Sequence, residues 1–168
     1  MSALKISGII RESIVDGPGI RFVVFAQGCP HHCEDCHNPQ TWSFDGGNDI
    51  TVEKIMDEVK KDQLISGITL SGGEPFCQPD EMAKLAAVAQ AQGLDVITYT
   101  GYIYEDLLEM SKASPNIMEF LKQINVLVDG PFITALKSYE IKFKGSSNQR
   151  AIDVKKSLEQ GLVVMAWD

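Results

Sequence analysis

The sequence predicts an α/β fold, with about 5–6 mainly parallel strands in an open sheet or a trimmed partial β/α barrel. Short β-branched or aromatic segments alternate with segments whose apolar residues repeat at helical spacing. Glycine and proline separate these segments, as they do between regular elements. The length of 168 residues suits one domain over 1–168. A closed eightfold β/α barrel typically needs ~250 residues, so a complete barrel is not expected.

Six segments are predicted as strands because each is short, rich in β-branched or aromatic residues, and bounded by turn formers. They are 21–27, 67–71, 94–100, 125–128, 139–143 and 162–167. The first of them, RFVVFAQ, is nearly continuous apolar sequence, which is typical of a buried strand. A long loop to about Asp49 follows it, and a polar loop is predicted at 145–150.

Five further segments are predicted as helices. Apolar residues lie on one helical face from Val52 to Val59, and Thr51 can cap the start. The same spacing recurs between Pro79, which suits a first helical turn, and the terminating Gly93. Strands and helices that alternate in this way imply a largely parallel sheet, whose C-terminal strand ends form the ligand site. The remaining helices are predicted at 104–111, after 114–115, and up to 159.

Composition narrows the class of protein. Apolar residues make up 44% and charged residues 23% of the chain, as in an average globular domain. The net charge of −8 disfavours a non-specific nucleic-acid binder. The apolar runs are far shorter than the ~20 residues that span a bilayer, and residues 1–10 lack the pattern of a secretory signal. We therefore expect a cytoplasmic protein with no nucleic-acid or membrane partner.

Three of the four cysteines, Cys29, Cys33 and Cys36, lie within eight residues, and Cys77 lies apart. Three thiolates on one loop can bind a soft metal centre. In a four-iron cluster they would hold three corners and leave one iron open for a substrate, whereas electron carriers usually add a fourth cysteine. Other interpretations stay open at this point: a zinc site completed by a nearby histidine, a redox-active Cys33-x-x-Cys36 pair, or inert thiols.

Several ordered motifs together resemble one enzyme superfamily. They are SIVDGPGIR at 13–21, the C-x3-C-x2-C spacing, CHNP at 36–39, TW at 41–42, SGGEP at 71–75, DGPF at 129–132 and GSSNQR at 145–150. The cysteine spacing and SGGEP resemble the cluster-binding and GGE motifs of the radical S-adenosylmethionine (SAM) superfamily. The N-terminal motif is similar to that of glycyl-radical-enzyme activases. DGPF and GSSNQR resemble one branch, which activates anaerobic ribonucleoside-triphosphate reductases.

The resemblance implies a partial barrel of the radical SAM type, its cofactors and its partners. Cys29, Cys33 and Cys36 would ligate a [4Fe-4S] cluster, at which SAM is cleaved reductively. Hydrogen would then be taken from a glycine of an anaerobic ribonucleoside-triphosphate reductase, with a flavodoxin- or ferredoxin-type protein as electron donor. One alternative is an activase of another glycyl radical enzyme, such as pyruvate formate-lyase. Another, from a different class, is a non-catalytic zinc or iron–sulfur binding module.

The resemblance also implies roles for single residues. Gly72 and Gly73 would let the backbone approach SAM, since they carry no side chain. Asp16 and Arg21 would lie on the rim that meets the partner, and 145–150 would form a contact loop. Asp35 stands where the superfamily often has an aromatic residue against the adenine, so that contact would rest on the backbone and on neighbours. The cofactor-binding residues implied in this way are Asp35, Cys36, His37, Gly72, Gly73 and Glu74.

Three residues near these motifs have simpler interpretations. His31 and His32 stand between cluster ligands and are expected to be solvent-facing spacers. Cys77 is expected to be a small buried hydrophobe, as lone cysteines commonly are. Residues that end strands are expected mainly to form turns. They are Thr98, Thr100 and Asp129.

Overall fold

All eight strands lie in one mixed sheet. The computed structural model describes residues 3–138 and 141–167. The strands are β1 (Ala3–Ser13), β2 (Arg21–Ala26), β3 (Asn48–Thr51), β4 (Gly67–Gly72), β5 (Asp95–Tyr99), β6 (Val126–Asp129), β7 (Arg150–Asp153) and β8 (Met165–Trp167). Their order is β3-β1-β2-β4-β5-β6-β7-β8. The central pairs β2–β4, β4–β5 and β5–β6 are parallel, and the outer pairs are antiparallel.

The parallel strands start in register, so their C-terminal ends share one edge of the sheet. Arg21 of β2 pairs with Gly67 of β4, which pairs in turn with Asp95 of β5. The loops that follow β2, β4, β5 and β6 therefore leave from the same edge. This register brings the cysteine loop and SGGEP together, although about 40 residues separate them.

Five helices cover one face of the sheet. They are α1 (Val52–Lys60), α2 (Pro79–Ala91), α3 (Tyr104–Ser111), α4 (Pro115–Leu121) and α5 (Val154–Gln160). Their apolar residues pack on alternate strand residues, such as Val24 and Leu70, in one core. The intervening strand residues, such as Val23 and Thr69, point to the opposite face, because strand side chains alternate. No helix among the described residues is long and apolar enough to cross a membrane.

Most predicted elements are confirmed within one or two residues. The helix at 104–111 matches α3, and the Thr51 side chain caps α1 by accepting a hydrogen bond from the Lys54 amide at 3.2 Å. The C-terminal strand is shorter than predicted, since only Met165–Trp167 pairs with β7. Three antiparallel strands, β1, β3 and β7, were not predicted. The mainly parallel sheet of about 5–6 strands is therefore corrected to a mixed sheet of eight.

The predicted strand at 139–143 is wrong in its described part. Residues 141–143 form a bend and turn, with Phe143 at a left-handed φ of 63°, while Tyr139 and Glu140 lie outside the described residues. The edge of β6 is already paired with β7, so residues 141–143 have no ladder to join there. It instead approaches the helix-free face, where the Tyr99 hydroxyl donates to the Phe143 carbonyl at 2.6 Å.

Candidate active site

A cleft of about 960 Å³ opens at the C-terminal ends of the parallel strands. All three clustered cysteines line it, together with Gly72 and Gly73 from the end of β4. Thr100 and Gly101, which follow β5, and Gly130, which follows β6, complete this edge. The strand-end loops thus converge on one rim, as the alternating pattern predicts.

The cysteine loop folds back on itself after β2. The Cys29 amide donates to the Trp42 carbonyl at 3.1 Å, and the Cys36 amide donates to the Cys33 carbonyl at 3.1 Å. Cys29 is buried, while Cys33 and Cys36 are half-buried. Cys77 is exposed, which corrects the expectation that it is buried. Of the four thiols, only the three with the predicted metal-binding spacing line the cleft.

The environment of Cys29 stabilises its thiolate in one respect and opposes it in another. Burial raises the pKa of the Cys29 thiol, whereas backbone hydrogen bonds from His31 and His32 lower this pKa. These N–H groups stabilise the charged form, which is the form that ligates a metal. The loop therefore supplies two backbone N–H donors to the Cys29 sulfur.

The three cysteines of the cleft suit the corners of an iron–sulfur cluster. Among the described residues, no group of three His, Cys, Asp or Glu converges as one ion would require. A cubane needs no such convergence, because each cysteine holds a different corner. A cluster held by three thiolates would be anionic. The charged lining suits it, because it contains one carboxylate, Asp16, and three lysines, Lys137, Lys142 and Lys144. The buried Trp42 indole N–H, also in the lining, has no partner in the described part of the chain.

Glu74 is completely buried and accepts hydrogen bonds from several donors. Its Oε1 lies 2.6 Å from the His31 Nε2 and accepts from the Gly101 amide at 2.8 Å. Its Oε2 accepts from the Phe76 amide at 3.0 Å, and the Thr100 hydroxyl lies 2.9 Å from both oxygens. The carboxylate thus joins the cysteine loop to the ends of β4 and β5. The described lining of the cleft does not include Glu74.

Gly72 and Gly73 line the cleft and also pack tightly on β2. A Cβ at Gly72, whose φ is 95°, would lie 2.5 Å from the Ala26 nitrogen. A Cβ at Gly73 would lie 2.4 Å from the Gly28 carbonyl oxygen. The two glycines are therefore required by the backbone that leads into Cys29, whatever binds in the cleft.

The aromatic contact at the third cysteine comes from a residue that the sequence did not single out. Asp35 is exposed, at a φ of 56°, and is absent from the described lining. His37 lines the cleft with its ring 4.9 Å from the ring of Phe132, at 47° between planes. Phe132 belongs to the DGPF motif, so its aromatic type inside a family motif was the available signal.

The GSSNQR segment at 145–150 folds against the DGPF segment at 129–132. The Gln149 side chain donates to the Gly130 carbonyl at 3.0 Å, and the Asn148 side chain donates to the Pro131 carbonyl at 2.8 Å. The Ser146 hydroxyl accepts from the Ile133 amide at 3.2 Å. These bonds hold the Phe132 edge of the cleft, so the expected contact loop has its polar side chains bonded within the chain.

Asp129, at the end of β6, forms hydrogen bonds that hold the same edge of the cleft. It is buried, accepts from the Tyr104 amide at 2.8 Å, and binds the Arg150 guanidinium at 3.1 Å. Arg150 also binds Glu105 at 2.6 Å. Hydrogen bonds to Asp129 and Glu105 raise the pKa of Arg150, and the bond from Arg150 lowers the pKa of Glu105. The carboxylate of Asp129 therefore fixes α3 and β7 rather than the cleft. Thr98, buried on β5, also lies outside the described lining.

Arg21 is not a surface residue, which corrects its predicted role in partner contact. Its side chain is 1% exposed and lies at the N-terminal end of β2, away from the cysteine loop. It donates to the Thr69 hydroxyl and the Ile68 carbonyl, each at 2.7 Å, and lies 2.8 Å from Asp95. Burial lowers the pKa of Arg21, and Asp95 opposes that shift. A guanidinium bonded in this way holds β2 to its neighbours and has no surface to offer a partner.

Asp16, by contrast, lines the cleft. The Ser13 hydroxyl donates to its carboxylate, and the Thr69 hydroxyl donates to its backbone carbonyl at 2.8 Å. The preceding Ile14 and Val15 are 74% and 72% exposed. An apolar loop tip therefore flanks the acidic side chain at the mouth of the cleft.

The two adjacent histidines have different environments. His32 is exposed, as expected, and stacks on Trp42 at 4.6 Å and 9°. His31 is half-buried, lines the cleft and contacts Glu74, so the expectation of a solvent-facing spacer is wrong for it.

Comparison with known proteins shows a consistent set of relatives. The family model of the 4Fe-4S single cluster domain matches residues 15–152. The anaerobic ribonucleoside-triphosphate reductase-activating protein of Salmonella typhimurium is 38% identical over 81% of this chain and 90% of that protein. The protein of the same name from Escherichia coli strain K12 is 35% identical over the same shares. The pyruvate formate-lyase-activating enzyme of Clostridium pasteurianum is 35% identical over 72% of this chain and 53% of that enzyme.

These matches cover most of the chain and nearly the whole length of the reductase-activating proteins. The pyruvate formate-lyase-activating enzyme is matched over only about half its length. The resemblance predicted from the ordered motifs is confirmed. The chain belongs to the family of anaerobic ribonucleoside-triphosphate reductase-activating proteins, which are radical SAM enzymes with a [4Fe-4S] cluster and SAM as cofactors.

Proposed function

We propose that this protein installs the glycyl radical on an anaerobic ribonucleoside-triphosphate reductase. Convergence of Cys29, Cys33, Cys36 and the Gly72–Gly73 turn on one cleft is the observation that carries the proposal. When bound, the reduced cluster and SAM supply a one-electron cleavage that generates a radical able to take hydrogen from a glycine. The protein's own residues have to bind, position and shield these groups.

The cysteine loop and the end of β4 would form the cofactor site. Cys29, Cys33 and Cys36 would ligate three irons of the cluster, and the iron without a cysteine ligand would be left for SAM, with Gly72 and Gly73 in the same cleft. Glu74 orders this rim by holding the cysteine loop to β5 from within the protein. The buried carboxylate thus contributes to SAM binding through the backbone it positions.

The His37–Phe132 pair is the best placed group to hold the adenine. Both rings line the cleft next to the third cysteine ligand. A planar base can stack on or meet such rings edge-on, which compensates for Asp35 at the position often held by an aromatic residue. The backbone of residues 35–37 would complete this subsite.

The sheet would curve as a trimmed partial barrel with the cleft on its open side. The apolar tip at Ile14–Val15 and the acidic Asp16 flank the mouth, where a mobile glycine-bearing loop of the reductase would enter. A flavodoxin- or ferredoxin-type donor in the cytoplasm would reduce the cluster. The small chain would generate the radical, and the reductase would make up most of the complex.

Anaerobic mixing with the reductase, SAM and a strong reductant tests the proposal. We expect a glycyl radical on the reductase, visible by electron paramagnetic resonance (EPR), and release of 5′-deoxyadenosine. Protein without reductant and a Cys36→Ala variant are the controls, and neither should give the radical. A radical on pyruvate formate-lyase but not on the reductase would move the assignment to the alternative activase. SAM cleavage without a radical on either enzyme would contradict an activase function.

A further inference from the structure

His31 occupies a position in the cysteine loop that is bonded to the opposite side of the rim. It stands two residues after Cys29 and two before Cys33. Its Nε2 lies 2.6 Å from Glu74, which also accepts the Gly101 amide of the loop after β5 at 2.8 Å. The imidazole thereby links the segment between two cluster ligands to the ends of β4 and β5.

The residues around His31 pack closely against its imidazole ring. A Cβ at Gly101 would lie 2.5 Å from the His31 Cδ2, and its three nearest atoms would all belong to this ring. The Tyr102 ring meets the imidazole edge-on, with centroids 4.5 Å apart. Gly101 therefore leaves the space that His31 fills, while its own amide binds the same carboxylate.

Few other contacts hold this part of the loop. His32 and Asp35 both have left-handed φ angles, of 47° and 56°, so no regular element spans the loop. The Cys29 amide bonds to Trp42 before this stretch, and the Glu34 carbonyl accepts from the exposed Thr134 hydroxyl at 3.1 Å after it. Between these points, His32 stacks on Trp42, and the backbone N–H groups of His31 and His32 bond to Cys29. The bond from His31 to the buried Glu74 differs from these contacts because it reaches the ends of β4 and β5.

We infer that His31 is a positioning residue that fixes the cluster loop against the SAM-binding rim through Glu74. In this arrangement His31 acts through Glu74, and its role does not require it to ligate an iron. It sets the distance between the cysteine ligands and the Gly72–Gly73 turn, and so determines whether SAM can reach the open iron. The inference rests on the proposed function, because it assigns to the loop a cluster that SAM approaches.

The test compares reconstituted proteins with adjacent histidines replaced. We expect His31→Ala to retain its iron but to need about tenfold more SAM to change the EPR spectrum of the reduced cluster, the loss expected for one charge-assisted hydrogen bond. His31→Gln can again donate to Glu74 and should recover most of the SAM response. His32→Ala is the matched control and should behave as wild type, since the substitution removes the side chain that stacks on Trp42 and keeps the backbone N–H that bonds to Cys29.

A second perturbation reaches the same contact from the other side. Gly101→Ala should displace the His31 ring and weaken the SAM response by a similar factor. In the His31→Ala background the same change should add little, because its nearest obstacle is gone. A merely structural role for Gly101 would make the two effects add.

Several outcomes would overturn the inference. One is a His31→Ala protein whose spectrum responds to SAM as His32→Ala does, and another is additive effects of the two changes. If His31→Ala loses its iron, the His31→Gln variant decides the question. A variant that recovers both its iron and its response to SAM supports a positioning role, and one that keeps its iron without responding to SAM refutes that role. Failure of the proposed function can be distinguished from failure of this inference. In the first case, wild-type protein would bind and cleave SAM without yielding a glycyl radical, while the EPR response to SAM would still show the effect of replacing His31.

Discussion

Replacing Glu74 with glutamine should destabilise the protein even though size and shape are conserved. The Gly101 amide donates to Oε1 and the Phe76 amide donates to Oε2. A glutamine has one carbonyl oxygen, so in either orientation its NH₂ group faces a backbone N–H. One backbone donor is then left without an acceptor in a completely buried site.

The size of the effect follows from that single unpaired donor. A buried donor without a partner costs about 1–3 kcal/mol. For a chain of this length, each kcal/mol lowers the melting temperature by about 2–4 °C. We therefore expect Glu74→Gln to lower it by roughly 2–12 °C. Glu74→Ala, which leaves every donor unpaired and opens a cavity, should cost about 3–5 kcal/mol.

Thermal and urea unfolding under anaerobic conditions, with iron analysis of each protein, measure this prediction. Glu109→Gln is a suitable control, because Glu109 is 73% exposed and pairs with Lys112, the residue that follows the same helix. That pair should contribute under about 0.5 kcal/mol. A Glu74→Gln protein as stable as the Glu109→Gln protein would refute the reasoning, since the displaced backbone donor would then have found another acceptor.

Four further predictions concern the cluster, the rim, the sheet and the partner. Cys77→Ala should retain about 4 irons per chain, whereas replacing any of the three clustered cysteines should remove them. Gly73→Val should lose iron as well as SAM cleavage, because its side chain would meet the Gly28 carbonyl just before Cys29. Arg21→Ala should cost about 3–5 kcal/mol, since it breaks a buried network. Asp16→Ala should weaken the glycyl radical signal more than it weakens release of 5′-deoxyadenosine.

Each of these has an outcome that contradicts it. Iron lost from Cys77→Ala, or kept by Gly73→Val, in anaerobic iron analysis would show that the ligands or the turn are misplaced. Urea unfolding should show Arg11→Ala, whose side chain is 61% exposed, within about 0.5 kcal/mol of wild type. An Arg21→Ala protein as stable as the Arg11→Ala protein would refute the stabilising role of the buried network. Equal losses of radical and of SAM cleavage in Asp16→Ala would place Asp16 at the cofactors rather than at the partner.

The location of the candidate site was predictable because one rule of topology governs it. Parallel strands in register bring their C-terminal ends together, so the loops after residues 26, 72 and 99 had to meet. The outer strands were not predictable in the same way. NDIT of β3 and RAID of β7 are largely polar, and they form strands only because β1 and β6 offer backbone partners.

Roles within the site depended on burial, which local sequence does not show. His31 and His32 are adjacent and chemically identical, yet one contacts a buried carboxylate and the other stacks on an exposed face. The glycine-rich turn beside Arg21 predicts a surface residue. The pairing of β2 with β4 instead brings its guanidinium within hydrogen-bond distance of the Thr69 hydroxyl. In each case the deciding neighbour lies more than 40 residues away in the sequence.

The two motifs of the reductase branch are bonded to each other at one edge of the cleft. The side chains of Asn148 and Gln149 bind the backbone of residues 130–131, and Arg150 binds the buried Asp129. These bonds fix the segment that carries Phe132 into the cleft beside His37. Because these side chains bond within the chain, the motif fixes the position of this edge of the cleft. Discrimination between partners would then come from neighbours that face the cleft, among them Asp16 and Lys144.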